Sequence, residues 1–245
     1  MDNPSEDVPD THIPTSEVQM TKIVNNIDLA IEVTISDVEK ILATRHPLIH
    51  VTGKSGAGKS VYARQLKEKL EQAGHLCSVI STDDYVERIP VLNEHKHNMA
   101  KLLADIEQFR GEGKVVVVEG IIPESSGRMS VNADYKVFFD APFSNRVAMR
   151  IQRESMQGRD PKEIMMGIAM TAGNNLSFFA KYEGIEPDHS TNLIVNNEYQ
   201  MSGNPQLQIS GDNLIFDSVS FRKIILLTKK QIDGLRQLGI YSRIE

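Results

Sequence analysis

A chain of 245 residues, 40% of them hydrophobic, can bury one substantial core with an appended lobe and does not depend on staples to stay folded. Its net charge of -6 argues against a surface built for general binding to nucleic acid or anionic membranes, which takes clustered cations. One cysteine, Cys77, excludes an internal disulfide and reads as a small buried hydrophobe; no apolar stretch reaches membrane-spanning length, so a cytosolic protein without a membrane partner is expected.

The first twenty residues hold five acids, three prolines and no Lys or Arg, the composition of a mobile tail. Residues 21–46 read as a helical segment, and Ser36 with Glu39 three positions later has the spacing of a capping box, which predicts a short helix starting there. Five apolar runs follow: LIHV, HLCSVI, VVVV, YKVFF and NLIV. Continuous rather than alternating apolar character suits strands covered on both faces, so 47–200 is expected to be an α/β domain with a parallel sheet flanked by helices. Ligands are expected at the carboxyl ends of its strands.

After Asn197 the texture changes. QLQIS, GDN and LIFDSVSF predict a β-hairpin, followed by RKIILL and a helix opened by Thr228 with Gln231 at its third position and stopped by Gly239. This 201–245 region is expected to pack on the α/β domain, and either extends the sheet edge or mediates self-association as a homodimer.

Directly after the first strand, Gly53, Gly58, Lys59 and Ser60 stand in the spacing G-x-x-x-x-G-K-[ST]. Glycines let the backbone curl so that successive amides point at phosphate oxygens, and the helix that follows adds its positive end. The expected nucleotide-binding set is Gly53, Ser55, Gly56, Ala57, Gly58, Lys59, Ser60 and Val61. Lys59 would reach the β and γ phosphates and the Ser60 hydroxyl would ligate Mg²⁺. ATP is preferred to GTP because the chain lacks an N-K-x-D guanine-reading sequence.

Glu119 ends the valine strand, and Asp83 and Asp84 end the HLCSVI strand. In one sheet all three acids emerge on the edge that holds the loop. Phosphoryl transfer needs a carboxylate to orient the attacking hydroxyl and accept its proton. One acid of the pair suffices; the other either fixes a metal-bound water or, for Asp84, caps the next helix.

Five stretches together resemble the uridine kinase and phosphoribulokinase family of P-loop kinases: GKSGAGKSVYARQLKEKL, SVISTDDY, VVVVEGII, FFDAPFSNRVAMRIQRESMQGRD and FFAKYEGIEPDHSTNLIV. The resemblance runs from about Ile41 to Asn197 and implies a five-stranded parallel sheet, ATP with Mg²⁺, and phosphorylation of a hydroxyl on a small molecule. It implies Asp83 as the catalytic aspartate and Lys59 as the phosphate-loop lysine, with Ser60, Asp83 and Glu119 around the metal. Asp83, Asp84 and Tyr85 would line the acceptor pocket.

The resemblance also implies a basic lid near residues 146–160, with Arg153 and Arg159 on the transferring phosphoryl. Arg146, Arg150 and Arg153, four and three apart, fall on one helical face; for the first two, a solvated face and a lid role are equally open readings. Asp160, Pro161 and Glu163 form a helix-start signal. His95 and His97, taken as helical, diverge and make no metal site.

Between Asp84 and Glu119 the sequence predicts a loop, one helix of about fifteen residues and the strand, without the hairpin that typical uridine kinases carry. A reduced acceptor lobe leaves room for a second acceptor class, a hydroxyl on a macromolecule such as a modified DNA base, although the acidic balance disfavours nucleic acid. A nucleotide-binding switch without an acceptor is the third reading.

Overall fold

The computed structural model describes residues 20–89, 94–121, 132–174, 185–197, 206–218 and 222–240. The acidic segment 1–19 and residues 178–184 of the stretch FFAKYEGIEPDHSTNLIV lie outside them.

All five apolar runs become strands of one parallel sheet. In chain order the first half of the molecule holds β1 (Lys22–Val24), α1 (Ile27–Leu42), β2 (Leu48–Gly53), α2 (Lys59–Gln72), β3 (Cys77–Ser81), a single 3-10 turn (Thr82–Tyr85), β4 (Val86–Ile89), β5 (Glu94–His97), α3 (Met99–Gly111) and β6 (Val115–Glu119). Then come β7 (Tyr135–Asp140), α4 (Phe143–Met156), α5 (Pro161–Asn174), β8 (Leu193–Asn196), β9 (Gln206–Ser210), β10 (Asn213–Asp217), β11 (Arg222–Leu226) and α6 (Lys229–Gln237).

The sheet order is β1-β8-β7-β2-β6-β3, with every pairing parallel. The sixth strand, β1, was not expected: it is three residues long, only Val24 is buried, and its pairing partner β8 lies about 170 positions away in sequence (Lys22 with Leu193). So short a segment carries no periodicity of its own.

The central strands β2, β6 and β7 bury both faces. Ile49, Val51, Val115, Val117, Val137 and Phe139 face α1 and α2, while Leu48, Ile80, Val116 and Val118 face α3. Burying each such side chain contributes roughly 1.5–3 kcal/mol relative to leaving it in water. Cys77 belongs to the first of these cores, and burial pushes its thiol up to about 12, so it is a packing residue and not a thiolate at neutral pH.

Three expectations need correction. First, α1 begins at Ile27, where Asn26 accepts a hydrogen bond from the Leu29 amide; Ser36 lies exposed within the helix and caps nothing. The stripe Ala30, Ile31, Thr34 and Val38 packs against the sheet as one face, and that tertiary burial carries the helix past the local start signal. Second, a hairpin does stand between Asp84 and Glu119: β4 and β5 pair antiparallel, Val86 opposite His97 and Ile89 opposite Glu94. Its charged strands, VERI and EHKH, lack the alternation that signals a half-buried strand. His95 and His97 therefore lie on a strand, not a helix, and the described residues contain no three-ligand cluster of metal-binding side chains.

Third, the C-terminal strands do not extend the parallel sheet. β9, β10 and β11 form their own antiparallel sheet, in the order β11-β10-β9, and α6 follows with the expected capping box between Thr228 and Gln231. Leu207, Ile209, Leu214, Phe216 and Leu235 from this region share a separate core with Val147 and Ile151 of α4 and Met165 and Ala169 of α5. The C-terminal sheet is thus seated on the two helices that follow β7. No helix among the described residues is long and apolar enough to cross a membrane.

Candidate active site

The loop from Gly53 to Gly58 joins β2 to α2 and is held from behind by side chains aimed at its carbonyls. The Lys59 ammonium donates to the carbonyls of Gly53 (3.0 Å) and Lys54 (2.9 Å). Arg146 Nη1 donates to the Ser55 carbonyl at 3.0 Å, and Asn197 Nδ2 to that of Ala57 at 2.9 Å. With these oxygens engaged, the first-turn amides of α2, which no i−4 carbonyl can serve, are left for an anion. That arrangement fits a phosphate chain.

Gly53 could not be another residue. Its φ is +124°, and a Cβ would stand 2.1 Å from the Phe139 carbonyl oxygen of β7. A second forced glycine, Gly120 (φ +130°), follows Glu119; a Cβ there would meet the Thr82 hydroxyl at 1.9 Å. Glycine at that position lets the ends of β3 and β6 close together, with Ser81 and Glu119 in register.

Lys59 is buried, and loss of water lowers its pKa from 10.5 to about 8; Arg146 adds to the fall, while Glu119 and Asp83 oppose it. Both carboxylates therefore act on the loop lysine, as their places at the ends of β6 and β3 require. Glu119 is buried and Asp83 is exposed. Ser60, the second residue of α2, and Val61 after it are exposed.

The two acids of the Asp83–Asp84 pair have different neighbours. Asp83 acts on Lys59, whereas Asp84 acts on Tyr85. Asp84 sits inside the 3-10 turn and does not cap a following helix: the next one, α3, is capped by Asn98, which accepts from the Lys101 amide. Tyr85 is half-buried and its hydroxyl donates to Asp105 at 2.6 Å; burial first, and then that carboxylate, push its pKa up to about 12.

Residues 45–178 match the family model described as adenylylsulphate kinase. The chain belongs to the adenylylsulphate kinase family. The resemblance expected from sequence is thereby correct at the level of P-loop kinases, while the family that matches is not the uridine kinase one. Among solved structures, a candidate fructose transport system kinase from Silicibacter sp. TM1040 is 13% identical, with a TM-score of 0.51 over 70% of this chain and 99% of that one. At that identity the likeness shows the fold. A candidate uridine kinase from Bacillus stearothermophilus, at 15% identity, aligns over 69% of this chain and 97% of that one with a TM-score of 0.39. No curated protein matches.

The family match ends at residue 178, so β8, Asn197 and the C-terminal sheet lie beyond it. Asn197 nevertheless serves the loop, tied by its own amide to the Asp140 carbonyl at 2.8 Å and reaching Ala57 from 140 positions away. Sequence reading passed it over. The available signal was its place directly after a strand whose neighbours end at the loop. Lys54 was passed over too; its ammonium pairs with Asp140 at 3.1 Å.

Of the three arginines on α4, Arg146 is neither a solvated residue nor part of a lid. It is buried, with Nε donating to the Ala141 carbonyl at 2.9 Å beside its bond to Ser55, and its guanidinium lies 5.3 Å from the Phe143 ring centre. Arg150 and Arg159 both pair with Glu154, and Arg153 is exposed. Asp160 caps α5 as expected, its carboxylate accepting from the Lys162 amide at 2.9 Å.

Proposed function

We propose that this chain transfers the γ-phosphate of ATP to a hydroxyl of a small molecule. One observation carries the reading: β2, β6 and β3 are neighbours in the sheet with Val51, Glu119 and Ser81 in register, so the loop with Lys59, the Glu119 carboxylate and Asp83 just after β3 share one strand edge. Asp83 takes the acceptor's proton as the new oxygen–phosphorus bond forms and the bond to the β-phosphate oxygen breaks, releasing ADP. Lys59, with Arg153 and Arg159, offsets the charge spread over the transferring oxygens. Asp84 and Tyr85 stand at the acceptor side, next to the β4–β5 hairpin.

Mg²⁺ takes few protein ligands and keeps waters and phosphate oxygens, which suits a site offering one hydroxyl, Ser60, and the carboxylates of Glu119 and Asp83; when bound it would neutralise phosphate charge. Ser60 would touch it directly and Glu119 directly or through water.

A screen with γ-labelled ATP tests the acceptor class: adenylylsulphate, nucleosides, sugars, vitamins, and DNA with and without hydroxymethylated bases. Label in a small-molecule monoester is expected. Label in polymer alone would overturn the small-molecule acceptor, and tight nucleotide binding with no labelled acceptor would point to a switch instead.

A further inference from the structure

Two glycines inside the loop, Gly56 and Gly58, have φ of +78° and +107°. Each follows a peptide unit that the backbone alone does not orient. Turning such a unit over changes ψ of the residue before it and φ of the glycine, and glycine takes either sign of φ at little cost. The orientation matters because a trans peptide is planar, with its carbonyl and its N–H pointing opposite ways. A group that holds the carbonyl therefore aims the amide.

Both carbonyls are held by side chains from outside the loop. Arg146 Nη1 takes the Ser55 carbonyl, and with it the orientation of the Gly56 amide. Asn197 Nδ2 takes the Ala57 carbonyl at 2.9 Å, which turns the Gly58 amide to the opposite side, beside the first-turn amides of α2. Asn197 is itself buried and fixed: it follows β8, whose last residue Asn196 is in register with Asp140, and its own amide donates to the Asp140 carbonyl at 2.8 Å. The end of β7 anchors the other contacts as well. The Phe139 carbonyl accepts from the Lys54 amide at 3.0 Å, the Asp140 carboxylate from the Lys54 ammonium at 3.1 Å, and the Ala141 carbonyl from Arg146 Nε at 2.9 Å. One strand end thus supports the entry to the loop and both side chains that clasp it.

We infer that Asn197 is a positioning residue of the phosphate-binding loop: by holding the Ala57 carbonyl it keeps the Gly58 amide turned toward the phosphate chain before a nucleotide arrives. This rests on the kinase reading above and deepens it. An amide already aimed needs no reorientation when the anion binds, whereas one free to turn spends part of the binding energy on that step. Asn197 stands beyond the residues that match the family model, so the matched segment alone lacks one clasp of its own loop.

N197L separates positioning from packing, because leucine keeps roughly the bulk of asparagine and adds no charge but has no donor. The full chain, wild type and variant, is titrated calorimetrically with tripolyphosphate, which presents the loop with a phosphate chain and nothing else of a nucleotide. Thermal melts check the fold, and NMR of isotope-labelled glycine follows the Gly58 amide. In wild type the Gly58 amide proton is expected to move downfield as tripolyphosphate binds. In N197L that shift should be lost and affinity should fall by about 10- to 100-fold, the worth of one hydrogen bond to a charged group. Should N197L not fold, N197A, which removes the same donor without new bulk, is read in its place with the same expectation. A folded variant that binds tripolyphosphate within about threefold of wild type, or that keeps the Gly58 shift, would overturn the positioning role. Failure of the wild type to bind tripolyphosphate would instead sink the phosphate-loop reading on which it stands.

Discussion

Asp83→Asn is expected to cut phosphoryl transfer about a thousandfold while ATP affinity changes less than about threefold, because a general base of this kind is worth roughly 10²–10⁴ in rate. Asparagine keeps the shape of the side chain and can hold a hydroxyl by a hydrogen bond, but it cannot take the proton. The nucleotide contacts belong to other residues: the loop, Lys59 and the start of α2. Asp83 also helps keep Lys59 protonated, so its loss should lower the lysine pKa further and shift residual activity toward lower pH. Transfer measured with labelled ATP beside a calorimetric ATP titration reads both quantities. Undiminished transfer would remove Asp83 from the reaction, and equal loss of transfer and binding would make it a nucleotide residue instead.

Lys59→Met should be comparably severe but of a different kind. Transfer is expected to fall by about 10³-fold and ATP affinity to fall with it, since the ammonium is the fixed cation on the phosphates and its charge counts for more in a dry site. The variant also leaves the Gly53 and Lys54 carbonyls without their donor, a cost of about 1–3 kcal/mol in stability if they stay buried, set against relief from burying a charge. The wild type carries a matching pH signature. With its folded pKa lowered to about 8, Lys59 is charged below that pH and neutral above it, while the unfolded chain keeps the proton to about 10.5. The penalty for burying the charge is therefore present below pH 8 and relieved as pH rises from 8 toward 10.5, a gain in stability that the Met variant lacks. ATP binding moves the opposite way: above pH 8 the lysine must regain a proton to meet the phosphates, so affinity falls and binding takes up a proton. Titrations in buffers of different ionisation enthalpy would show that uptake, and its absence above pH 8 would contradict the buried cation.

What the sequence revealed and what it hid divide along chain distance. The glycine loop, Lys59 and the run into α2 lie within a dozen residues, and the chemistry demands that spacing directly, so it was legible. The five longer strands of the parallel sheet were legible because their burial leaves apolar runs, least broken in the central β2, β6 and β7. β1 was hidden because three residues show no pattern until β8 is beside them. The β4–β5 hairpin was hidden because its strands carry charge where alternation was sought. Arg146 was misread for a related reason. Its spacing to Arg150 and Arg153 describes a stripe, but its place near the first turn of α4 sets it beside Ser55 and Gly56, and only the fold shows that neighbour. Asn197 acts through a partner 140 positions away, which no local spacing identifies.

The role of the C-terminal sheet belongs to the same group. Its strands were expected, but not their seat on α4 and α5, which with the turn between them carry Arg153, Glu154 and Arg159. Residues outside the family match thus support the segment expected to close on the phosphates.

A crystal structure with Mg²⁺ and a non-hydrolysable ATP analogue is the most direct examination of the convergence at the sheet edge. The γ-phosphate should rest on the amides between Gly53 and Ser60, with the Asp83 carboxylate facing it across a gap of about 6 Å, the span of one reacting contact plus one hydrogen bond to an acceptor hydroxyl. Phosphates bound elsewhere, or Asp83 turned from the γ-phosphate with Asp84 in its place, would contradict the assignment.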